Sequence, residues 1–219
     1  YLSISIEQGW NLLAFPIHRN ISLLEALAFY EPTDGDVIKD QYSFAVYDEN
    51  SAEWSGTLRY LQSNRGYMLK SDKKQSFSYP SINFASKGQV KEQEHTIDMI
   101  NSFAKYQFNM GVIAEITTDE SFDEVKIYDQ NKTLRGSSKI EEINGKQMSF
   151  ISIFSNESVQ LNYVLSNAKK DIELTKELFF VSNEVLGTLK TPIELSLKSL
   201  SVDASFSNSV NIYPNPFSE

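Results

Sequence analysis

Cysteine is absent from this 219-residue chain, which excludes disulfides, thiolate metal sites and cysteine nucleophiles. It leaves the compartment open, because a secreted domain with a large enough core needs no disulfide. Histidine is almost as scarce. His18 and His95 are the only two, and they fall in different predicted modules. A Ser-His-Asp constellation needs nucleophile, base and orienting acid to converge, and the spacing of serines and aspartates singles none out. No nucleophile-elbow, phosphate-loop or zinc-binding helix motif occurs either, so no enzymatic role is expected. Basic residues are outnumbered, 20 Lys and Arg against 29 Asp and Glu, for a formal net charge of −9. That balance argues against nucleic acid as a partner, since its recognition needs a basic patch. It also argues against an anionic membrane surface. No apolar run approaches the roughly eighteen residues of a membrane-spanning helix, so no membrane insertion is expected.

Aromatic residues are plentiful, with 14 Phe and 11 Tyr against two Trp, and such side chains suit half-buried pleated surfaces. The expected fold is mainly β: two tandem β-sandwich-like modules, the first with one short helix. The first module spans 1–82. Leu2, Ile4 and Ile6 alternate with polar residues as a strand does, and Leu12 to Ile17 reads as a buried strand ended near Pro16. Ser22 and Glu25 form a capping-box pattern ahead of a helix near 22–30, stopped by Pro32. Phe44 to Tyr47 and Trp54 flank a hairpin loop at Asp48 to Ser51. A polar stretch from Ser81 to Glu94 holds the expected linker or joining strand, 83–94. The second module spans 95–192, with strands at Phe108 to Ala114, Met148 to Phe154, Val159 to Leu165 and Leu178 to Val181. Asn144-Gly145 is a tight-hairpin signal, and the module is expected to end at Pro192. Residues 193–219 read as a spacer leading into a stiff tail.

Two kinds of candidate site follow from composition. Asp34, Asp36 and Asp40 cluster near one bend, Asp48, Asn50 and Glu53 in the next loop, and Asp119, Glu120, Asp123 and Glu124 further on. Calcium takes six to eight oxygens from such loops, but none of these follows the twelve-residue calcium loop. Asp and Asn as turn formers are the favoured reading, so no cofactor is expected and calcium is the ligand to test. Trp54, Tyr60 and Tyr67 could form an aromatic platform for a glycan, with Tyr42 and Tyr47 nearby. Burial in the first core is the favoured role for Trp10 and Trp54.

Four short patterns in order, Gly9-Trp10-Asn11-Leu12, Gly35-Asp36-Val37-Ile38-Lys39, Trp54-Ser55-Gly56-Thr57-Leu58 and Gly66-Tyr67-Met68, resemble a module recurrent in large secreted Bacteroidetes proteins. Asn109-Met110, Leu134-Arg135-Gly136, Phe150-Ile151-Ser152-Ile153 and Leu186-Gly187-Thr188-Leu189 resemble a second secreted β-module, and that resemblance carries no catalytic role. At the C-terminus, Pro214 and Pro216 hold the chain stiff and extended. There Ile212-Tyr213-Pro214-Asn215-Pro216-Phe217 resembles the opening of the C-terminal sorting domain of type IX secretion cargo. Tyr213, Pro214, Asn215, Pro216 and Phe217 would then be the start of the sorting signal. The resemblance implies a secreted or cell-surface protein on the exterior of the outer membrane, with the secretion machinery as partner through the complete C-terminal domain. With no initiating Met and two residues after Phe217, the chain is expected to be an internal fragment that follows an upstream domain. Its expected role is a non-catalytic accessory or stalk region. The alternative is a glycan-binding or cell-adhesion module with a surface ligand.

Overall fold

The computed structural model describes residues 3–80 and 101–197. The expected linker at 83–94 and the tail from Tyr213 to Phe217 lie outside them. The fold is mainly β, as the aromatic content and short strand spacing predict.

The first stretch runs β1 (Ile4–Ile6), β2 (Gly9–Phe15), β3 (Ile21–Ser22), α1 (Leu23–Ala26), β4 (Val37–Lys39), β5 (Phe44–Asp48), β6 (Glu53–Gly56), β7 (Tyr60–Leu61), β8 (Arg65–Ser71) and β9 (Gln75–Phe77). An antiparallel sheet in the order β2-β8-β4-β5-β6 forms its centre, with β1–β9 and β3–β7 as separate ribbons. One sheet face, carrying Leu13, Phe15, Ile38, Ala45, Tyr67 and Leu69, packs under the side chains of α1 and the ribbons. The helix is shorter than the expected 22–30. Ser22 caps it by accepting the Glu25 amide (3.2 Å), but Glu25 turns its carboxylate to Arg19 (3.2 Å). The Ala28 and Tyr30 amides reach back only three residues, to the Glu25 and Leu27 carbonyls, a tightening that ends a helix.

The run from Leu12 to Ile17 also departs from expectation, being half-buried rather than buried. β2 is the edge of its sheet; Leu13 and Phe15 enter the core while Leu12 is 84% exposed. Successive side chains of a strand point to opposite faces, and only one face is covered there.

The second stretch runs β10 (Phe108–Thr117), β11 (Glu124–Asp129), β12 (Leu134–Lys139), β13 (Glu141–Ile143), β14 (Lys146–Ser155), β15 (Gln160–Ser166), β16 (Asp171–Phe179), β17 (Val185–Leu186) and β18 (Ile193–Ser196). Two sheets form a sandwich. One is ordered β13-β14-β10, with β17 and β18 both lying parallel on the far edge of β10; the other is β12-β11-β15-β16. Their facing residues, among them Val112, Ile151, Val125, Ile127, Leu161 and Leu165, make one core. Asn144 and Gly145 both take positive φ, 53° and 76°, and close the predicted hairpin. The module does not end at Pro192: β18 pairs with β10 beyond it, and Leu195 is fully buried in the core. The final strand pair is also longer than expected, since β16 covers nine residues rather than Leu178 to Val181.

Burial along the strands shows how the two stretches meet. In β14, Met148 to Ser155 are all buried, and in β10, Asn109 to Ala114 are all buried. A strand with one solvated face would alternate; an unbroken buried run needs both faces covered. The sandwich covers one face through Met110, Val112, Ile151 and Ile153. The first stretch covers the other, laying Val37, Phe44 and Val46 against Ile113, Met148 and Phe150. Among the described residues, strand pairing stays within each stretch, yet side chains from both fill one seam.

Candidate functional site

The seam is where charge, polarity and close packing converge, and Lys39 is at its centre. Strand alternation sends Ile38 into the first core and turns Val37 and Lys39 toward the second stretch. Lys39 is 4% exposed. Its Nζ donates to Asn109 Oδ1 and, at 2.7 Å, to Asn183 Oδ1, and lies 5.4 Å from the centre of the Trp10 ring. Asn109 completes the tie by donating through Nδ2 to the carbonyls of Asp40 (2.9 Å) and Gln41 (2.8 Å). Its own carbonyl accepts the Asn183 amide at 2.9 Å. Gln41 adds a bond from Nε2 to the Tyr106 carbonyl (2.7 Å). A buried polar group left unpaired would cost about 1–3 kcal/mol, so separating the stretches without solvating these groups is unfavourable.

Beside this network the backbones come close enough to exclude a side chain. A methyl added to Gly111 would sit 3.1 Å from Cε1 and Cζ of Phe44 and 3.1 Å from Cγ2 of Val185. Glycine therefore lets the Phe44 ring lie on β10. A second aromatic contact joins Tyr42 to Phe154, with ring centres 6.1 Å apart, and Phe154 stacks on Phe103 at 4.6 Å. Tyr106, in the same cluster, carries the Arg135 guanidinium over its ring at 4.9 Å. Arg135 is in turn fixed by Asp129, with Nε and an Nη both bonded to Oδ2 (3.0 and 2.9 Å). The other oxygen, Oδ1, accepts the Asn131 and Thr133 amides (2.9 and 2.8 Å).

On the first stretch, Asp36 anchors the start of β4. Tyr30 donates its hydroxyl to Oδ2 (2.7 Å), as does the Thr33 amide (2.9 Å), and the Asp72 amide donates to Oδ1 (2.8 Å). Burial pushes the Tyr30 hydroxyl well above its ordinary range, which keeps it a neutral donor.

Most of the carboxylates proposed for calcium accept nearby backbone amides. Asp34 accepts the Glu49 amide (3.1 Å), and Asp40 accepts the Tyr42 and Ser43 amides (2.8 and 2.7 Å). Asp48 accepts from the Asn50 amide and side chain and from Ser51. Burial works against the Asp48 carboxylate, but those bonds and the charge of Lys190 outweigh it and hold its pKa below the ordinary value. Glu53 is exposed on β6. Among the described residues no group of three or more metal-ligating side chains converges. In the later acidic group, Glu120 pairs with Lys170.

The aromatic platform needs correcting at one position. Tyr67 is 2% exposed and its oxygen accepts the Gln62 amide (2.6 Å), so it offers no ring face to a ligand. It points inward because strand alternation places it with Leu69 in the first core. Trp54 is half-buried against that core, with its ring beside Tyr47 (5.4 Å) and Tyr30 (6.4 Å). Tyr60 is half-buried on β7. Sequence reasoning missed the roles of Lys39, Asn109 and Asn183. The available signal was a lysine closing the apolar strand Val37-Ile38, a position where a solvated charge is out of place.

Comparison of the chain with protein-family models, curated proteins and solved structures finds no match.

The buried lysine gives a pH signature. Burial lowers the Lys39 pKa from 10.5 to about 8, against a smaller opposing effect from the Asp40 charge. Between those values the unfolded chain holds more protons, so stability rises with pH across that window. The full gain, reached above the unfolded pKa and lost again as pH falls through about 8, is about 3 kcal/mol. Above about pH 10 the trend reverses, because burial keeps Tyr30 and Tyr163 neutral in the fold while unfolded tyrosines ionise. Denaturant unfolding at pH 7, 8, 9 and 9.5 should show the rising limb. Lys39→Met should flatten it, and an unchanged slope in that variant would refute the assignment.

Proposed function

We propose that this chain is a non-catalytic accessory or stalk region of a secreted or cell-surface protein exported by type IX secretion. In this reading it holds an upstream domain at a set distance and orientation and leads into the C-terminal sorting signal. The observation that carries the spacer role is the filled seam, where Lys39, Asn109, Asn183 and the Phe44–Gly111 contact join two β-rich units that share no strand among the described residues. A stalk of freely hinged modules would transmit orientation poorly; a seam with buried polar ties and an apolar centre resists bending. The export role rests on the resemblance of Tyr213 to Phe217 to the start of a sorting domain. The glycan-binding alternative is less favoured, since Tyr67 is core and Trp54 packs on Tyr30 and Tyr47.

The export role is tested in the native gene of a type IX-competent host. Deleting the chain from Tyr213 onward should trap the protein inside the cell envelope while leaving its fold intact. Undiminished appearance in the medium or on the cell surface would contradict the reading.

A further inference from the structure

We propose that the seam holds a small inorganic anion, of chloride's size and charge, in the cavity between Trp10 and Thr188. The cavity has a volume of about 80 Å³ and lies between the stretches, lined on one side by Trp10, Val37 and Lys70 and on the other by Asn183, Val185 and Thr188. That is room for an ion of chloride's size, since about 10–15 Å³ of such volume already admits a water.

The lining has a definite sign. Among the described residues no carboxylate side chain lines the cavity, in a protein whose net charge is −9. Lys70 lines it directly, with its Nζ 6.0 Å from the centre of the Trp10 ring. Lys39 does not line the cavity itself, but it sits over the same ring and bonds Asn183, so two of the lining residues touch its ammonium. Neither lysine forms an ion pair among the described residues. Asp40, whose charge acts on Lys39, has Oδ1 taken by the Tyr42 and Ser43 amides. A buried ammonium is normally paired with a counter-charge; the hydrogen-bond acceptors of Lys39 are two neutral carboxamides, and the Asp40 charge offsets only part of its burial. Trp10 adds an indole N–H, a donor only, without a hydrogen-bond partner among the described residues. Valines from both stretches supply apolar walls, which keep the local dielectric low and strengthen attraction between the lysines and an anion. Because both stretches line the site, an anion bound there favours the closed seam over any open or unfolded state. This holds whether or not the protein is a type IX stalk.

The test uses the full chain with Trp54→Phe, so that Trp10 is the one fluorescent tryptophan. Chloride is titrated against gluconate, a bulkier organic anion, at constant total ionic strength. The expected result is a saturable rise in melting temperature with chloride, and saturable quenching of Trp10 by iodide that chloride competes away. Lys70→Met, an exposed residue whose loss should leave folding intact, is expected to raise the half-saturating concentration by about tenfold or more. Equal melting curves in chloride and gluconate, or iodide quenching that stays linear and ignores chloride, would overturn the proposal.

Discussion

Phe44→Ala is expected to destabilise the chain by about 3–5 kcal/mol and to uncouple its two halves. Phe44 is 2% exposed and its ring rests on the bare backbone of Gly111 beside Val185. Truncation leaves a void between two sheets whose backbones are already paired, so neither can collapse far to fill it. The loss falls on the seam rather than on either core, because Ala45, the next residue, is the one that faces the first core. Both tryptophans lie in the first stretch, so their fluorescence reports that half, while far-ultraviolet circular dichroism reports both. In the parent protein the two signals should fall together; in Phe44→Ala they should separate. Phe44→Leu, which keeps most of the volume, should cost far less. A loss below about 1 kcal/mol with coincident transitions would show that the seam carries little of the stability.

Asp129→Ala should be comparably severe, about 3–5 kcal/mol, because it strands the buried guanidinium of Arg135. It also removes the acceptor for the Asn131 and Thr133 amides. The same pair predicts an acid limb. Burial disfavours the Asp129 carboxylate, but the Thr133 amide, Arg135 and the Asn131 amide together outweigh it, so its pKa lies below the ordinary value. The unfolded chain therefore takes up this proton first as pH falls. The stabilisation is complete above about pH 4 and is lost as pH drops through the folded pKa. Asp129→Asn should shift the acid-unfolding midpoint upward. Joint replacement by Asp129→Leu and Arg135→Met should cost less than Asp129→Ala alone, since it leaves no unpaired charge. If the double variant were the worse one, the buried pair would not be what holds this corner.

The strands were legible where chemistry and period agreed. The Asn144-Gly145 turn, the Phe44 hairpin and the runs at Phe108 and Met148 all follow from local pattern. Elements whose burial depends on distant parts of the chain were not legible. Leu12 looks as apolar as Leu13, and only the edge position of β2 leaves it in water. β16 was largely overlooked because Glu173, Lys176 and Glu177 interrupt its apolar residues, as suits a sheet edge that must not pair with another chain. Pro192 looked like a stop, but it precedes β18 rather than following the last strand. Asp34, Asp36 and Asp40 lie in loops, as expected, and bond backbone amides, whereas Asp48 ends β5 and Glu53 begins β6. The seam was hidden for a further reason. Lys39, Asn109 and Asn183 are 70 and 144 residues apart in the chain as donor and acceptors, and no periodicity reports such a meeting.

Two stretches that share no strand among the described residues are held as one body by the Lys39–Phe44 seam. A specific protease site placed within 83–94 and cleaved after folding tests it directly. The account predicts that the two pieces co-elute as a single species by size-exclusion chromatography and retain the parent's melting temperature to within a few degrees at high concentration. It also predicts that Phe44→Ala releases them. Pieces that separate on cleavage of the parent chain, each folded and independent, would contradict it.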